Sequence, residues 1–405
     1  MIRPILYVNL PAVVYALDRA ARSRRGEFAT FICAPDAEDS RGGLTPLLNA
    51  LVLINPNTLT WICEDRWRLL GLAQARRRPA AAAWDLNYLA TIIPATGQSR
   101  GQFTSANGVT GGQGSGSGAG NPPDEVVLEL LQYALDAALT RGVQRVFARV
   151  DDASPALELF VKTGFQRYAR ELTYWRAHSP SLAELDAADA RDQGEAPTGQ
   201  TAPHTFTADH GSLRTWHRHD AWGLLRLGDA STPRRVQLAE CLNSEEFAHT
   251  AAVGGRMWSL PGIEPEVRTY VVDHGVRLGG WLRLRYGRGT QPHQLWLMAH
   301  PEEASLAGPL LRFGLRQFAG AQAKPIVCQV REYDGVVIDA LRGAGFEHGS
   351  TRALLVRHLL LRALRQQAVP AMEARVAYGA HGLGTAPSRL GNSSLSRHDR
   401  SRAGD

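Results

Sequence analysis

Asp124-Glu125-Val126-Val127-Leu128-Glu129-Leu130-Leu131-Gln132-Tyr133-Ala134-Leu135 begins the stretch that decides the fold of this chain. Val127, Leu130, Leu131, Ala134, Leu135 and Ala138 recur at three- and four-residue steps and so share one face of a helix. Gly142 supplies its stop. Arg145 to Val150 reads as a short strand. Ser154 to Lys162 reads as a second helix, with Ser154 at the cap and Pro155 at the first position. Gly164 ends it, and a strand begins at Phe165.

The same order returns further on. Leu306 to Leu315 reads as a helix, Pro325 to Val330 as a strand, Asp334 to Arg342 as a helix, and Gly345-Phe346 leads into a strand. The spacings Val150 to Val330 and Gly164 to Gly345 agree within one residue, which points to a tandem duplication.

Helix, strand, helix, then Gly-Phe into a strand resembles the C-terminal half of the GNAT acyltransferase superfamily. Ala156-Leu157-Glu158-Leu159-Phe160-Val161-Lys162-Thr163-Gly164-Phe165 is close to that family's A-x-x-L-Y-x-K-x-G-F pattern. The second copy keeps Gly345-Phe346 and little else of it. The resemblance implies an α/β (α+β) chain of two tandem GNAT-like folds, each a mixed, mostly antiparallel sheet flanked by helices. The expected boundaries are 1–177, a linker over 178–206, 207–365, and a disordered tail over 366–405.

A length of 405 residues suffices for two such domains. No run approaches the eighteen or so apolar residues of a membrane span. Ile5 to Leu17 follows Arg3 like a signal segment, but Asn9, Pro11 and the lack of a small-residue cleavage site argue against one. Cys33, Cys63, Cys241 and Cys328 lack metal-ligand spacing and read as reduced core residues of a cytoplasmic protein. The net charge of +6 is carried almost wholly by arginine. The arginines share no helix face and no nucleic-acid motif accompanies them, so compositional bias is preferred to a nucleic-acid surface.

In chain order, Ile2 to Asn9 reads as a strand, and Pro11 to Ala21 and Leu44 to Leu53 as helices. Thr58 to Cys63 and Arg68 to Ala75 form a hairpin, and Trp84 to Ile93 is a fourth strand. The insertion 98–123 is Gly/Ser-rich and expected to be mobile. In the second copy Leu213 to His219 is a strand, and Ala221 to Leu227 and Arg234 to Leu242 are helices. A hairpin follows with Gly275 in its turn, then the strand Gln294 to Ala299.

The resemblance implies attack of an amine on an acyl-CoA thioester lying beside the fourth strand, with the pyrophosphate at the N-terminus of the next helix. It places the cosubstrate, acetyl-CoA or another acyl-CoA, beside Leu89, Ala90 and Thr91 in one copy. In the other it lies beside Met298, Ala299, His300, Ser305, Leu306, Ala307 and Gly308. Ala299-His300-Pro301-Glu302 resembles the family's V-x-P-E. The Arg/Gln-x-x-Gly-x-Gly/Ala loop that should follow is degraded, with Glu302 where Arg or Gln is expected. A glutamate facing a pyrophosphate costs about 1–4 kcal/mol at a protein surface. The family's tyrosine acid falls on Phe160 and Leu341, which cannot protonate a thiolate; Tyr133, Tyr168, Tyr174 and Tyr333 are substitutes. His300, Glu64 and Asp85 are the candidate catalytic bases, with Asp273 beside them; His300 equally serves as a strand-end cap. His210, His217, His219 and Asp220 offer no complete ligand set, so no metal is expected. Two functions stay open: an acyl-CoA-dependent N-acetyltransferase acting on an unidentified amine, or a degenerate binding or scaffolding protein. The copies are also expected to pack as an internal pseudo-dimer.

Overall fold

The computed structural model describes residues 1–4, 29–33, 58–65, 68–78, 82–92, 122–192, 211–241 and 266–359. The first half contributes β1 (Ile2–Pro4), β2 (Ala29–Cys33), β3 (Thr58–Asp65), β4 (Arg68–Arg77), β5 (Ala83–Ile92), α1 (Pro122–Thr140), β6 (Arg145–Asp151), α2 (Ala156–Lys162) and β7 (Gln166–Arg176). After α3 (Leu182–Asp192), the second half contributes β8 (Ser212–Thr215), α4 (Ala221–Ser231), α5 (Arg234–Glu240), β9 (Val267–Asp273), β10 (Leu278–Arg285) and β11 (His293–Ala299). It then adds α6 (Ala307–Ala319), β12 (Ile326–Arg331), α7 (Gly335–Gly343) and β13 (Glu347–His358).

All thirteen described strands join one sheet, in the order β1-β3-β4-β5-β6-β13-β7-β12-β11-β10-β9-β8, with β2 attached to β5. Among the described strands, only β5–β6 and β11–β12 pair in parallel. The halves exchange their last strands. β6 of the first half pairs with β13 of the second, and β12 of the second pairs with β7 of the first. β7 and β13 pair with each other at the centre. Each half thus completes its sheet with a strand from the other, so the duplicated units share one sheet.

The helical periodicity is realised. Val127, Leu130, Leu131, Ala134 and Ala138 of α1 are buried against β3, β4 and β5, and Leu135 is half-buried. α6 and α7 bury Leu310, Leu311, Leu315, Val337, Ile338 and Leu341 on the equivalent face of the second half. Removing each such side chain from water contributes about 1.5–3 kcal/mol. On the opposite face, α4 covers Val271 and Leu278, and α5 lies over the central strands through Val236 and Ala239. The duplication is repeated in the backbone. Gly164 and Gly345, just before β7 and β13, have φ of +82° and +78°, where a side chain would be strained.

Of the boundaries that differ from expectation, three have a local cause in the hydrogen bonding. α2 starts at Ala156, because Ser154 Oγ accepts from the Ala156 N–H at 3.3 Å and Pro155 stays outside. The strand expected over Leu213 to His219 ends at Thr215, where Asp220 accepts from the His217 N–H and pulls the chain into a 3₁₀ turn. Part of the presumed linker is helical: Ser181 and Glu184 form a reciprocal capping box that starts α3, and Leu185 is buried. Residues 5–9, both early helices, 98–121 of the insertion, 193–206 of the linker and the tail 366–405 lie outside the described residues; Pro122 and Pro123 already belong to α1. Cys63 and Cys328 are buried as expected, but Cys241 is exposed, capping α5 in a left-handed conformation. No described helix is long and apolar enough to cross a membrane.

Residues 1–206 expressed alone should give no cooperative melt, since β6 and β7 lose β13 and β12. Coexpressed with residues 207–365, they should copurify as a complex that does melt cooperatively by circular dichroism. A second expectation comes from Asp334, which caps α7 by accepting from the Val337 N–H. Burial pushes its pKa up to about 6. A raised carboxyl pKa stabilises the fold below the unfolded value near 4, and that stability is lost as pH rises through about 6. Asp334→Asn keeps a capping oxygen. It should raise urea stability at about pH 7 by on the order of 2–3 kcal/mol, with no gain at about pH 4.

Candidate active site

Parallel strands that part after a few hydrogen-bonded pairs leave backbone groups open to a ligand. β5 and β6 stay paired only from Ala83/Arg145 to Leu86/Ala148, and β11 and β12 only from His293/Ile326 to Leu295/Cys328. The two splits have different fates. In the first half β2 pairs along the freed edge, with Cys33 opposite Leu89, Phe31 opposite Ala90 and Thr30 opposite Thr91. The other edge of those residues is held by β4. Leu89, Ala90 and Thr91 therefore carry strands on both sides, contrary to the open edge expected there. In the second half, Trp296 to Ala299 pair with β10 on one side, and no described strand pairs with the other. The Ser231 hydroxyl donates to the Ala299 carbonyl at 3.3 Å. Met298 packs on the α4 side with Trp216 and Trp281.

The turn leaving β11 is built differently from the glycine loop that the resemblance implies. His300 donates its N–H to the Gly279 carbonyl at 2.8 Å, and its Nδ1 accepts from the Glu302 N–H at 3.3 Å. It thus caps a 3₁₀ turn, Pro301–Leu306, which runs straight into α6. The Ala307 N–H is used inside that turn, on the Ala304 carbonyl. Leu306 and Ala307 are buried in the core, Gly308 is half-buried and Ser305 is exposed. Glu302 and Glu303 both accept from Arg277, and Glu303 lies 2.6 Å from His274 Nε2. The hydrogen bond from Arg277 holds the Glu302 carboxyl below the usual carboxylate range. Gly279 makes room for this: a Cβ there would lie 2.4 Å from both Glu303 and His274 side-chain atoms.

The other candidates are not brought together. Glu64 pairs with Arg3 at 2.9 Å, and Asp85 with Arg78 at 2.7 Å, the latter guanidinium stacking 3.7 Å over Phe147. Opposite them on β4 stand Leu69 and Arg76, about 23 Å apart at strand rise. Neither carboxylate reaches His300, which belongs to the other half. Asp273 is bound to Arg214 and to the Gly275 N–H. His219 stacks on His217, and no described group of His, Cys, Asp or Glu is arranged to hold a metal. Of the substitute tyrosines, Tyr168 donates to Glu240 at 3.0 Å, with burial and then Glu240 raising its pKa. Tyr174 is fully buried, and Tyr133 packs edge-on to Trp61.

Sequence reasoning missed a polar cluster at the centre of the sheet. Glu171 on β7 stands opposite Arg331 on β12, with oxygen and nitrogen 3.8 Å apart, and Arg331 donates to Glu240 at 3.1 Å. Although burial opposes it, the carboxylates of Glu240 and Glu171 push the Arg331 pKa up. Glu171 and Thr173 are each 5% exposed. Their alternation along β7 was the only signal in the sequence, because Arg331 enters by strand exchange.

Fourth and fifth strands that run parallel and then part, a helix between them, and a final strand led in by Gly-Phe are repeated in each half. Both halves have the GNAT fold. No family model matches the chain, and no curated protein does. Similar solved structures include a tandem GNAT protein from the clavulanic acid biosynthesis pathway, 15% identical over 88% of this chain and 98% of that one, with a TM-score of 0.47. A GCN5-related N-acetyltransferase from Sphaerobacter thermophilus is 11% identical over 88% and 95%, at 0.47. A GNAT-family acetyltransferase from Colwellia psychrerythraea is 11% identical over 88% and 99%, at 0.40.

Glu303→Gln should loosen the turn by removing the carboxylate charge that His274 and Arg277 share. A loss of about 1 kcal/mol in urea unfolding is expected, smaller but not abolished in the His274→Ala background, because Arg277 remains.

Proposed function

We propose that the protein transfers an acyl group from an acyl-CoA to an amine, and that the second half's split between β11 and β12 is the reaction site. The observation that carries this is the edge of Trp296 to Ala299, which no described strand covers. Backbone N–H and C=O groups there, apart from the Ala299 carbonyl that accepts from Ser231, are oriented to pair with an extended amide-bearing arm, as a strand would. In the reaction the neutral amine nitrogen attacks the thioester carbonyl carbon. A C–N bond forms, the C–S bond breaks with its electron pair going to sulfur, and the proton lost by nitrogen ends on the thiolate. Met298, Ala299 and the turn 300–308 are the residues proposed to lie along the cosubstrate.

A second reading, a binding protein without turnover, is favoured by two observations. β2 occupies the corresponding edge of the first half, and Glu302 and Glu303 hold Arg277 where a pyrophosphate would need cations and free N–H groups. Acetyl-CoA at a hundred times its dissociation constant should raise stability by about 2.7 kcal/mol, read as a thermal shift. No shift with any acyl-CoA would exclude the transferase. If the two glutamates weaken donor binding, Glu302→Ala should tighten it by up to about tenfold in calorimetry.

A further inference from the structure

A cavity lies at the closed end of the β11–β12 pair, away from the split. It is lined by Trp175 and Arg176 at the end of β7, by the connector 177–180, by Glu184 in the first turn of α3, and by Gly345 and Glu347 where β13 begins. Its volume is about 310 Å³, at the lower end of the range for small-molecule sites. Arg176 stands level with His293 through Ile326, and His293 lies about 20 Å from Ala299 at strand rise. The cavity is therefore separate from the uncovered edge of β11, and both halves of the chain line it.

Its walls are fixed by the fold. The Ser179 hydroxyl donates to the Lys324 carbonyl at 3.0 Å, and Arg176 Nη1 donates to the Ala344 carbonyl at 2.7 Å. Trp175 and Glu347 are cross-strand partners in the β7–β13 register. That pairing sets their Cβ atoms about 5 Å apart on one face of the sheet. Gly349 lies at the bulge beside them. A Cβ there would come 3.3 Å from Trp175 Cδ1, so glycine leaves the indole its place. Trp175 remains 37% exposed.

Three side chains of the lining are charged: Arg176, Glu184 and Glu347. The first two offset each other. Glu184 accepts from the Ser181 N–H; that bond first, and the Arg176 charge last, hold its carboxyl below the usual carboxylate range. Glu347 is exposed and forms no ion pair with a described residue. With His178 counted as neutral, the cavity carries one uncompensated negative charge, and it sits beside an indole. A carboxylate next to an aromatic ring attracts a cation with an apolar body, since both the charge and the ring's negative face favour it. An anion would meet two carboxylates with only Arg176 to attract it.

We propose that this cavity binds a small organic ammonium ion, with its charge against Glu347 and its apolar body against Trp175. The site is independent of the acyl-transfer reading. Its occupant bridges β7 and β13, the last strands of the two halves.

Choline and phenethylammonium, titrated into the full chain by calorimetry beside their neutral counterparts 3,3-dimethylbutan-1-ol and 2-phenylethanol, test this. At least one cation should bind, and its neutral counterpart about fivefold more weakly or not at all. Glu347→Gln and Trp175→Ala should each weaken that binding about three- to fivefold. Glu266→Gln, which removes an exposed carboxylate outside the cavity, should leave it unchanged. If Trp175→Ala does not fold, Glu347→Gln decides alone. No binding of either cation, equal binding of the neutral counterparts, tighter binding of phenylacetate than of phenethylammonium, or unchanged affinity in either folded cavity variant would overturn the proposal.

Discussion

β6 and β12 lie in the interior of the sheet, and a strand there cannot leave a row of N–H and C=O groups unpaired. Each is hydrogen-bonded along one edge to a parallel strand of its own half, over only a few residues. Along the other edge each depends on the last strand of the opposite half, over six or seven residue pairs. β7 and β13 bind each other and are each bound on the outer side too. The four central strands thus hold one another, and neither half has a complete sheet by itself. Ala353, Leu354, Leu355 and Val356 of β13 are all buried at this seam, so apolar packing on both faces strengthens what the backbone pairing begins.

The exchange places charge in the middle of the protein. Glu171, Glu240 and Arg331 meet where β7, β12 and α5 converge, with Tyr168 as a further donor. Buried ion pairs are weak contributors to net stability, since desolvation offsets much of their attraction. The split between β11 and β12 ends beside this cluster, one strand spacing away, about 4.8 Å. The first half shows the alternative outcome: the same split is filled by β2, and its neighbouring carboxylate Asp85 is bound to Arg78. Duplication produced two equivalent architectures, and local sequence differences have left only the second with an uncovered edge among the described strands.

The turn after β11 shows how a few residues redirect a helix N-terminus. Pro301 and the cap from His300 favour a 3₁₀ turn, and that turn uses N–H groups that a glycine loop would have left free. Glu302 and Glu303 then pair with Arg277, and Glu303 also with His274, rather than facing an anion. The degraded loop was legible in the sequence as missing glycines and a misplaced glutamate. What replaced it was not, because Arg277 and His274 lie in the β9–β10 hairpin and meet the turn only through the sheet register.

The sequence by itself determined the elements, their order and their duplication, because helix periodicity, glycine stops and caps are local properties of a few neighbouring residues. It also exposed Phe160 and Leu341 where a tyrosine acid was expected, and the Ser181–Glu184 box that starts α3 was present to be read. Which strands pair was decided only in three dimensions. β13 could have closed its own half; its run of consecutive buried residues, Ala353 to Val356, suits either partner. The register between distant strands then set which side chains face each other, and that pairing alone brought Glu171 to Arg331.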